Sequence, residues 1–121
     1  DTINRILTQA SSGDYGYACV ANVHMIMEAF DSEDFRKILN KADIVTPDGM
    51  PIVLLLRILG LKGQKRVYGP SLMKYLCEAS ALSNISVGLY GGTPETLMAL
   101  VYNLLGCIPN LKVPTADFRE A

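Results

Sequence analysis

Residues 42–57 read Ala-Asp-Ile-Val-Thr-Pro-Asp-Gly-Met-Pro-Ile-Val-Leu-Leu-Leu-Arg. A short apolar run, Ile44 and Val45, meets a turn at Thr46-Pro47-Asp48-Gly49, and a strongly apolar run of helix length follows. This order predicts a strand, a tight loop and a helix leading away from it. Pro47 fixes its own φ and biases Thr46 away from helix. Gly49 lets the chain turn without a steric penalty. Asp48 therefore falls at the carboxyl end of a strand, the edge where open α/β sheets bind ligands. Two readings of Asp48 stand side by side. It is a turn residue bonding to nearby backbone N–H groups, or it is a functional carboxylate.

The flanking sequence repeats the alternation. Ile3, Ile6, Leu7 and Ala10 predict a helix over 2–10, closed by Ser11-Ser12-Gly13-Asp14. Tyr15 to Ala21 is aromatic and β-branched and reads as a strand. Asn22 opens a helical run. Asp31-Ser32-Glu33-Asp34 starts another, its acids suited to a positive helix end. Met50 to Gly60 is the helix of the central stretch, with Gly60 as its stop. A basic loop with Lys62, Lys65 and Arg66 leads to Gly69-Pro70 and a helix to about Leu82. Ile85 to Tyr90 is a strand, Pro94 begins a helix to about Leu105, and Leu111 to Val113 reads as one more strand. Strands alternating with helices imply an α/β fold, a Rossmann-like parallel sheet with helices on both faces and right-handed crossovers. With no repeat, low-complexity tract or linker, residues 1–121 read as a single core domain.

Composition narrows the function classes. The 121 residues are 50% hydrophobic and 19% charged, with a formal net charge of -1. That charge balance argues against a nucleic-acid binder. The longest apolar run, Met50 to Leu61, is broken by Pro51 and Arg57 and falls short of the roughly 18 residues of a membrane span. The first residues lack the basic-then-apolar pattern of a signal peptide. Cys19, Cys77 and Cys107 are odd in number, without CxxC spacing, and read as reduced core residues of a cytosolic protein. The methionines read as core packing. His24, the only histidine, reads as partly buried and hydrogen-bonded. It has no partners at metal-ligand spacing, so no metal is expected. A Cys19–His24 nucleophilic pair is a separate possibility.

Two further stretches carry chemistry. Tyr90-Gly91-Gly92-Thr93-Pro94-Glu95 ends a strand and starts a helix, with Thr93 as the cap. Such a start presents free N–H groups to an anion, and a diphosphate fits; an ordinary glycine turn is the alternative. It is not a GxGxxG dinucleotide motif. In Lys65-Arg66-Val67-Tyr68-Gly69-Pro70-Ser71, Arg66 either reaches a phosphate with its planar fork or is a solvated surface arginine.

Taken together, Ala18–Asn22, the Asp43–Met50 segment of form Asp-x-Val-x-Pro-Asp-Gly-Met, Arg57–Gly60, Arg66–Met73 and Leu89–Pro94 occur in the order and spacing of a known family. The chain resembles the WecG/TagA/CpsF glycosyltransferases over nearly its whole length. The resemblance implies inverting transfer of a sugar, typically N-acetylmannosamine or its uronic acid. It further implies a UDP-sugar donor and a polyprenyl-diphosphate-linked sugar acceptor, at the inner face of the bacterial plasma membrane. Asp48 maps to the family's proposed catalytic base, Asn22 to the asparagine of its first strand-to-helix turn, and Gly91 and Gly92 to its Gly-Gly turn. Thr46, Arg66 and Thr93 join these as substrate-binding candidates, and no cofactor is implied. Single displacement needs one carboxylate to take the acceptor proton, and helix starts and arginines can stabilise departing UDP.

The match is imperfect. Val20 replaces the family's frequent threonine, Ser71 its acidic residue after Gly-Pro, and Ile52–Leu55 an expected aromatic. The preceding strand and the carboxyl-terminal appendage, which helps reach the membrane, are expected to lie outside these residues, so the domain reads as incomplete at both ends. Pro114–Arg119 resembles the family's Pro-Pro-Phe-Arg region. The high apolar content suits a core that packs on another subunit or on that appendage. The rival reading is a non-catalytic nucleotide-sugar-binding or assembly module of the same fold.

Overall fold

The computed structural model describes residues 2–117. The elements run α1 (Thr2–Ser12), β1 (Ala18–Ala21), α2 (Val23–Asp31), α3 (Glu33–Asn40), β2 (Ile44–Pro47), α4 (Met50–Ile58), α5 (Gly69–Leu82), β3 (Gly88–Tyr90), α6 (Pro94–Cys107) and β4 (Thr115–Asp117). β1 pairs with β2 in parallel, Ala21 opposite Pro47. β3 pairs with β4 in parallel, Tyr90 opposite Asp117. Each pair is joined by helical crossovers, as parallel strands require. The α/β class and its Rossmann-like alternation are those expected, with the described strands in two ladders of two.

Local chemistry explains the boundaries. Asn22 caps α2, its side-chain oxygen accepting from Met25 N at 2.9 Å. Ser32 caps α3 by accepting from Phe35 N at 3.3 Å. The acids Glu33 and Asp34 sit in its first turn, where the helix dipole favours them. Gly49, at the start of α4, has φ 128°, a conformation that penalises any side chain with a Cβ. Pro51 and Pro70 occupy the first turns of α4 and α5, where the missing N–H costs nothing.

Strand boundaries move at four places: β2 runs on through Thr46 and Pro47, which were expected in the turn, β3 begins at Gly88 and not at Ile85, and two further changes concern residues 15–17 and 111–113. Tyr15–Tyr17 lie outside β1. Tyr17 N donates to the Asp43 carboxylate at 3.0 Å and Tyr17 O accepts from Asp43 N at 3.0 Å, so a side chain takes part of the ladder's role. Residues 111–113 form no strand either. Leu111 is buried in the core, Lys112 O accepts a single bond from Val87 N at 2.9 Å, and β4 starts only after Pro114. The Phe118–Arg119 end of the Pro-Pro-Phe-Arg-like stretch lies outside the described residues.

The contiguous apolar core lies in the second half. Cys77, Leu89, Leu97, Leu104, Ile108 and Leu111 are all buried together, flanked by Ala81, Val87, Leu100, Val101 and Val113. Burial pushes the Cys77 thiol above its ordinary range, with Glu78 adding to the effect. Several apolar residues expected inside are not. Met27, Met50, Met73 and Met98 are exposed and only Met25 is half-buried. Cys107 is also exposed. These side chains belong to helix faces that no described element covers. Among the described residues no helix is long and apolar enough to cross a membrane.

Candidate functional site

β1 and β2 end side by side, and the residues following each come together. Asp48 N donates to Ala21 O at 2.8 Å, extending the ladder one step beyond the strands. Asn22 and Asp48 are therefore neighbours at the carboxyl edge of the pair. A third segment joins them. Val67 N donates to Pro47 O at 2.8 Å, which lays residues 66–68 along the far side of β2. That docking brings Arg66 to Asp48, 18 residues away in sequence.

The Arg66 Nε and Nη2 atoms both donate to Asp48 Oδ1, each at 3.3 Å. The Asp48 side chain is 24% exposed and that of Arg66 45% exposed. Asp48 Oδ2 accepts no bond among the described residues. The Arg66 guanidinium also lies 5.0 Å from the centre of the Tyr68 ring, within cation–π range. A cavity of about 230 Å³ opens beside it, lined by Arg66, Tyr68, Ser71, Leu72 and Tyr75 among others. The arrangement offers one carboxylate with a free oxygen, one cation with a fork geometry, and room for a ring.

Of the expected site residues, Asn22, Asp48 and Arg66 thus converge. Thr46 sits next to them in sequence but points inward. It is 6% exposed, and its Oγ1 is buried without a hydrogen-bond partner. Gly91, Gly92 and Thr93 lie at the carboxyl end of β3, on the other strand pair. Gly91 and Gly92 adopt φ 114° and 75°. Thr93 Oγ1 caps α6 by accepting from Thr96 N at 3.2 Å and is also hydrogen-bonded to Thr96 Oγ1 at 2.9 Å. No hydrogen bond links this turn to Asn22, Asp48 or Arg66 among the described residues. An apolar groove of about 560 Å³ runs along α6 instead, lined by Leu97, Met98, Val101 and Tyr102 with Ala116.

His24 is not the partly buried residue expected. Its side chain is 79% exposed on α2, 3.9 Å from Glu28 one turn on. It makes no hydrogen bond to Cys19, which is half-buried on β1. Among the described residues no three metal-ligating side chains come together. The Asp48–Arg66 pairing and the role of Tyr68 were not visible in the sequence. No periodicity connects residues so far apart, and only the docking of Val67 on Pro47 does so.

A strand edge carrying a turn aspartate, a capping asparagine and a docked arginine is the candidate site that the comparisons with known proteins bear on. The Glycosyl transferase WecG/TagA/CpsF family matches residues 1–117, and the chain belongs to that family. Among characterised proteins it is similar to the N-acetylglucosaminyldiphosphoundecaprenol N-acetyl-beta-D-mannosaminyltransferase of Bacillus subtilis. The two are 23% identical over 92 residues, which is 76% of this chain and 36% of that protein. It is 22% identical to the protein of the same name from Bacillus spizizenii over 97 residues, 80% of this chain and 38% of that one. The chain thus spans little more than a third of the length of the relatives it matches.

Proposed function

We propose that this chain carries the catalytic edge of an inverting glycosyltransferase. It moves N-acetylmannosamine, or a close analogue, from a UDP-sugar to a polyprenyl-diphosphate-linked N-acetylglucosamine. The observation that carries this reading is the convergence of Asn22, Asp48 and Arg66 at the carboxyl edge of β1 and β2 in a member of this family. The names of the Bacillus relatives supply the sugar and the acceptor.

In this reading Asp48 is the general base. The acceptor hydroxyl oxygen attacks the anomeric carbon of the donor sugar from the face opposite the diphosphate. The new C–O bond forms as the bond to the diphosphate oxygen breaks, and UDP departs with that electron pair. Asp48 takes the hydroxyl proton. Inversion at the anomeric carbon follows from the single displacement. Arg66 faces the charge that develops on the diphosphate. Gly91, Gly92 and the start of α6 present backbone N–H groups on the donor side. Asn22, at the head of α2, orients the substrate near Asp48. Thr46 supports this edge from beneath. The lipid acceptor is anchored in a bilayer, so we assign the reaction to the inner face of the bacterial plasma membrane. The whole is one α/β core domain whose exposed apolar helix faces are covered by further chain or by a second subunit.

The test is UDP binding by calorimetry on the wild-type chain and on Asp48→Asn, followed by UDP release from UDP-N-acetylmannosamine with a lipid-linked acceptor. Binding by both proteins with turnover only by wild type establishes Asp48 as the base. Binding by both with turnover by neither favours a nucleotide-sugar-binding module.

A further inference from the structure

The placement of Arg66 suggests how the base is held before the acceptor is used, and the inference rests on Asp48 being that base. We propose that Arg66 is a positioning residue with two stations. It closes on Asp48 in the arrangement seen here, and it transfers to the donor diphosphate when the nucleotide sugar binds. Donor binding then releases Asp48 Oδ1 from the cation, leaving both carboxylate oxygens open to the acceptor hydroxyl.

Four observations support the two stations. First, the grip on Asp48 is loose. Both donors share Oδ1 at 3.3 Å rather than engaging the two carboxylate oxygens, so the pair lacks the parallel fork that makes such bridges strong. Second, the Arg66 side chain is 45% exposed, so solvent screens the pair. An ion pair of this kind contributes at most about fivefold to an equilibrium. Third, a diphosphate offers the paired oxygens and greater charge that an arginine fork matches best. Fourth, only the side chain has to move. Val67 N fixes the backbone on Pro47 O at 2.8 Å. The Tyr68 ring offers a face at 5.0 Å, and Arg66 borders an open cavity of about 230 Å³. Among the described residues Arg66 is the only charged side chain paired with Asp48.

The two stations make Asp48 and the diphosphate competitors for one cation. UDP titrations on the wild-type chain, Asp48→Asn, Arg66→Gln and the double variant measure that competition, with circular dichroism confirming that each is folded. Asp48→Asn is expected to bind UDP about two- to fivefold more tightly than wild type, the strength of the pair it releases. Arg66→Gln is expected to bind more weakly, and adding Asp48→Asn to it is expected to change nothing. An Asp48→Asn affinity equal to or below wild type overturns the proposal. So does an equal gain in the Arg66→Gln background, because that gain is plain repulsion between Asp48 and the diphosphate. If Arg66→Gln does not fold, Arg66→Lys replaces it. The gain from Asp48→Asn must then shrink, and an undiminished gain overturns the two stations. A wild-type chain that does not bind UDP removes the donor reading itself, a result distinct from the others.

Discussion

Around β1 and β2 the polar groups converge while the buried apolar positions Ala21, Ile44 and Val53 stay outside the main cluster. Around β3 and β4 the reverse holds. Six buried side chains from α5, β3, α6 and the following loop form the cluster, while the Gly91-Gly92-Thr93 turn is engaged mainly in capping α6. One region holds the candidate chemistry and the other holds the cohesion. Among the described residues no hydrogen bond joins the two strand ends. The contrast implies that changes at the two ends should separate cleanly into lost activity and lost stability.

The largest expected effect breaks the first region without touching the second. Asp48→Asn should lower the rate of transfer by roughly 10²–10⁴-fold, the usual contribution of a positioned base. Its thermal midpoint should stay close to wild type, since the carboxylate loses only a partly exposed ion pair. A midpoint that falls as steeply as the rate would mean that Asp48 holds the turn together and is not a base.

The second effect runs the other way. Leu104→Ala removes a side chain that is 9% exposed within the main cluster. It should cost about 2–5 kcal/mol in chemical denaturation, from lost transfer energy and the cavity left behind. UDP affinity of the molecules that remain folded should be unchanged. A change in UDP affinity at full folding would show that the core of the second region shapes the site of the first.

How far the sequence exposed this division depends on the range of each interaction. Helices were legible because their signals are local. The caps at Asn22, Ser32 and Thr93 and the first-turn prolines act within a few residues. The turn at Pro47-Asp48-Gly49 was legible for the same reason. The strand expected over Tyr15–Ala21 forms only from Ala18 onward, because pairing at Tyr17 depends on Asp43, 26 residues away. Exposure of the methionines was equally hidden, since composition shows which residues are apolar but not which faces lack a partner. In the site, the residues themselves pointed to Asp48 and Arg66, and the family resemblance added Asn22. Their pairing rests on one long-range backbone bond, from Val67 to Pro47.

A smaller effect tests whether Asn22 belongs to the chemistry or only to the fold. Its side chain already accepts from Met25 N at 2.9 Å, a bond that Ser or Asp can also make. Asn22→Ala should cost about 1 kcal/mol of stability through the lost cap. Asn22→Ser should restore that stability. Turnover is expected to stay low in the serine variant, because the amide N–H₂ group that could face a substrate is gone. Full turnover with serine would confine Asn22 to capping α2.

The smallest expected effect is at Thr46, and it concerns the boundary between the two roles. Its hydroxyl is buried with no partner among the described residues, an arrangement that costs stability unless something satisfies it. Thr46→Val keeps the branched shape and removes the polar atom. If the hydroxyl is idle, the variant should be more stable by about 1 kcal/mol, with transfer unchanged. If instead the hydroxyl meets a substrate or a neighbouring strand in the working enzyme, the variant should gain little stability and lose turnover. Denaturation and transfer measured on the same preparation separate these outcomes. The second outcome would move Thr46 from the floor of β2 into the site, and the first region would then supply part of its own cohesion from the residues that do its chemistry.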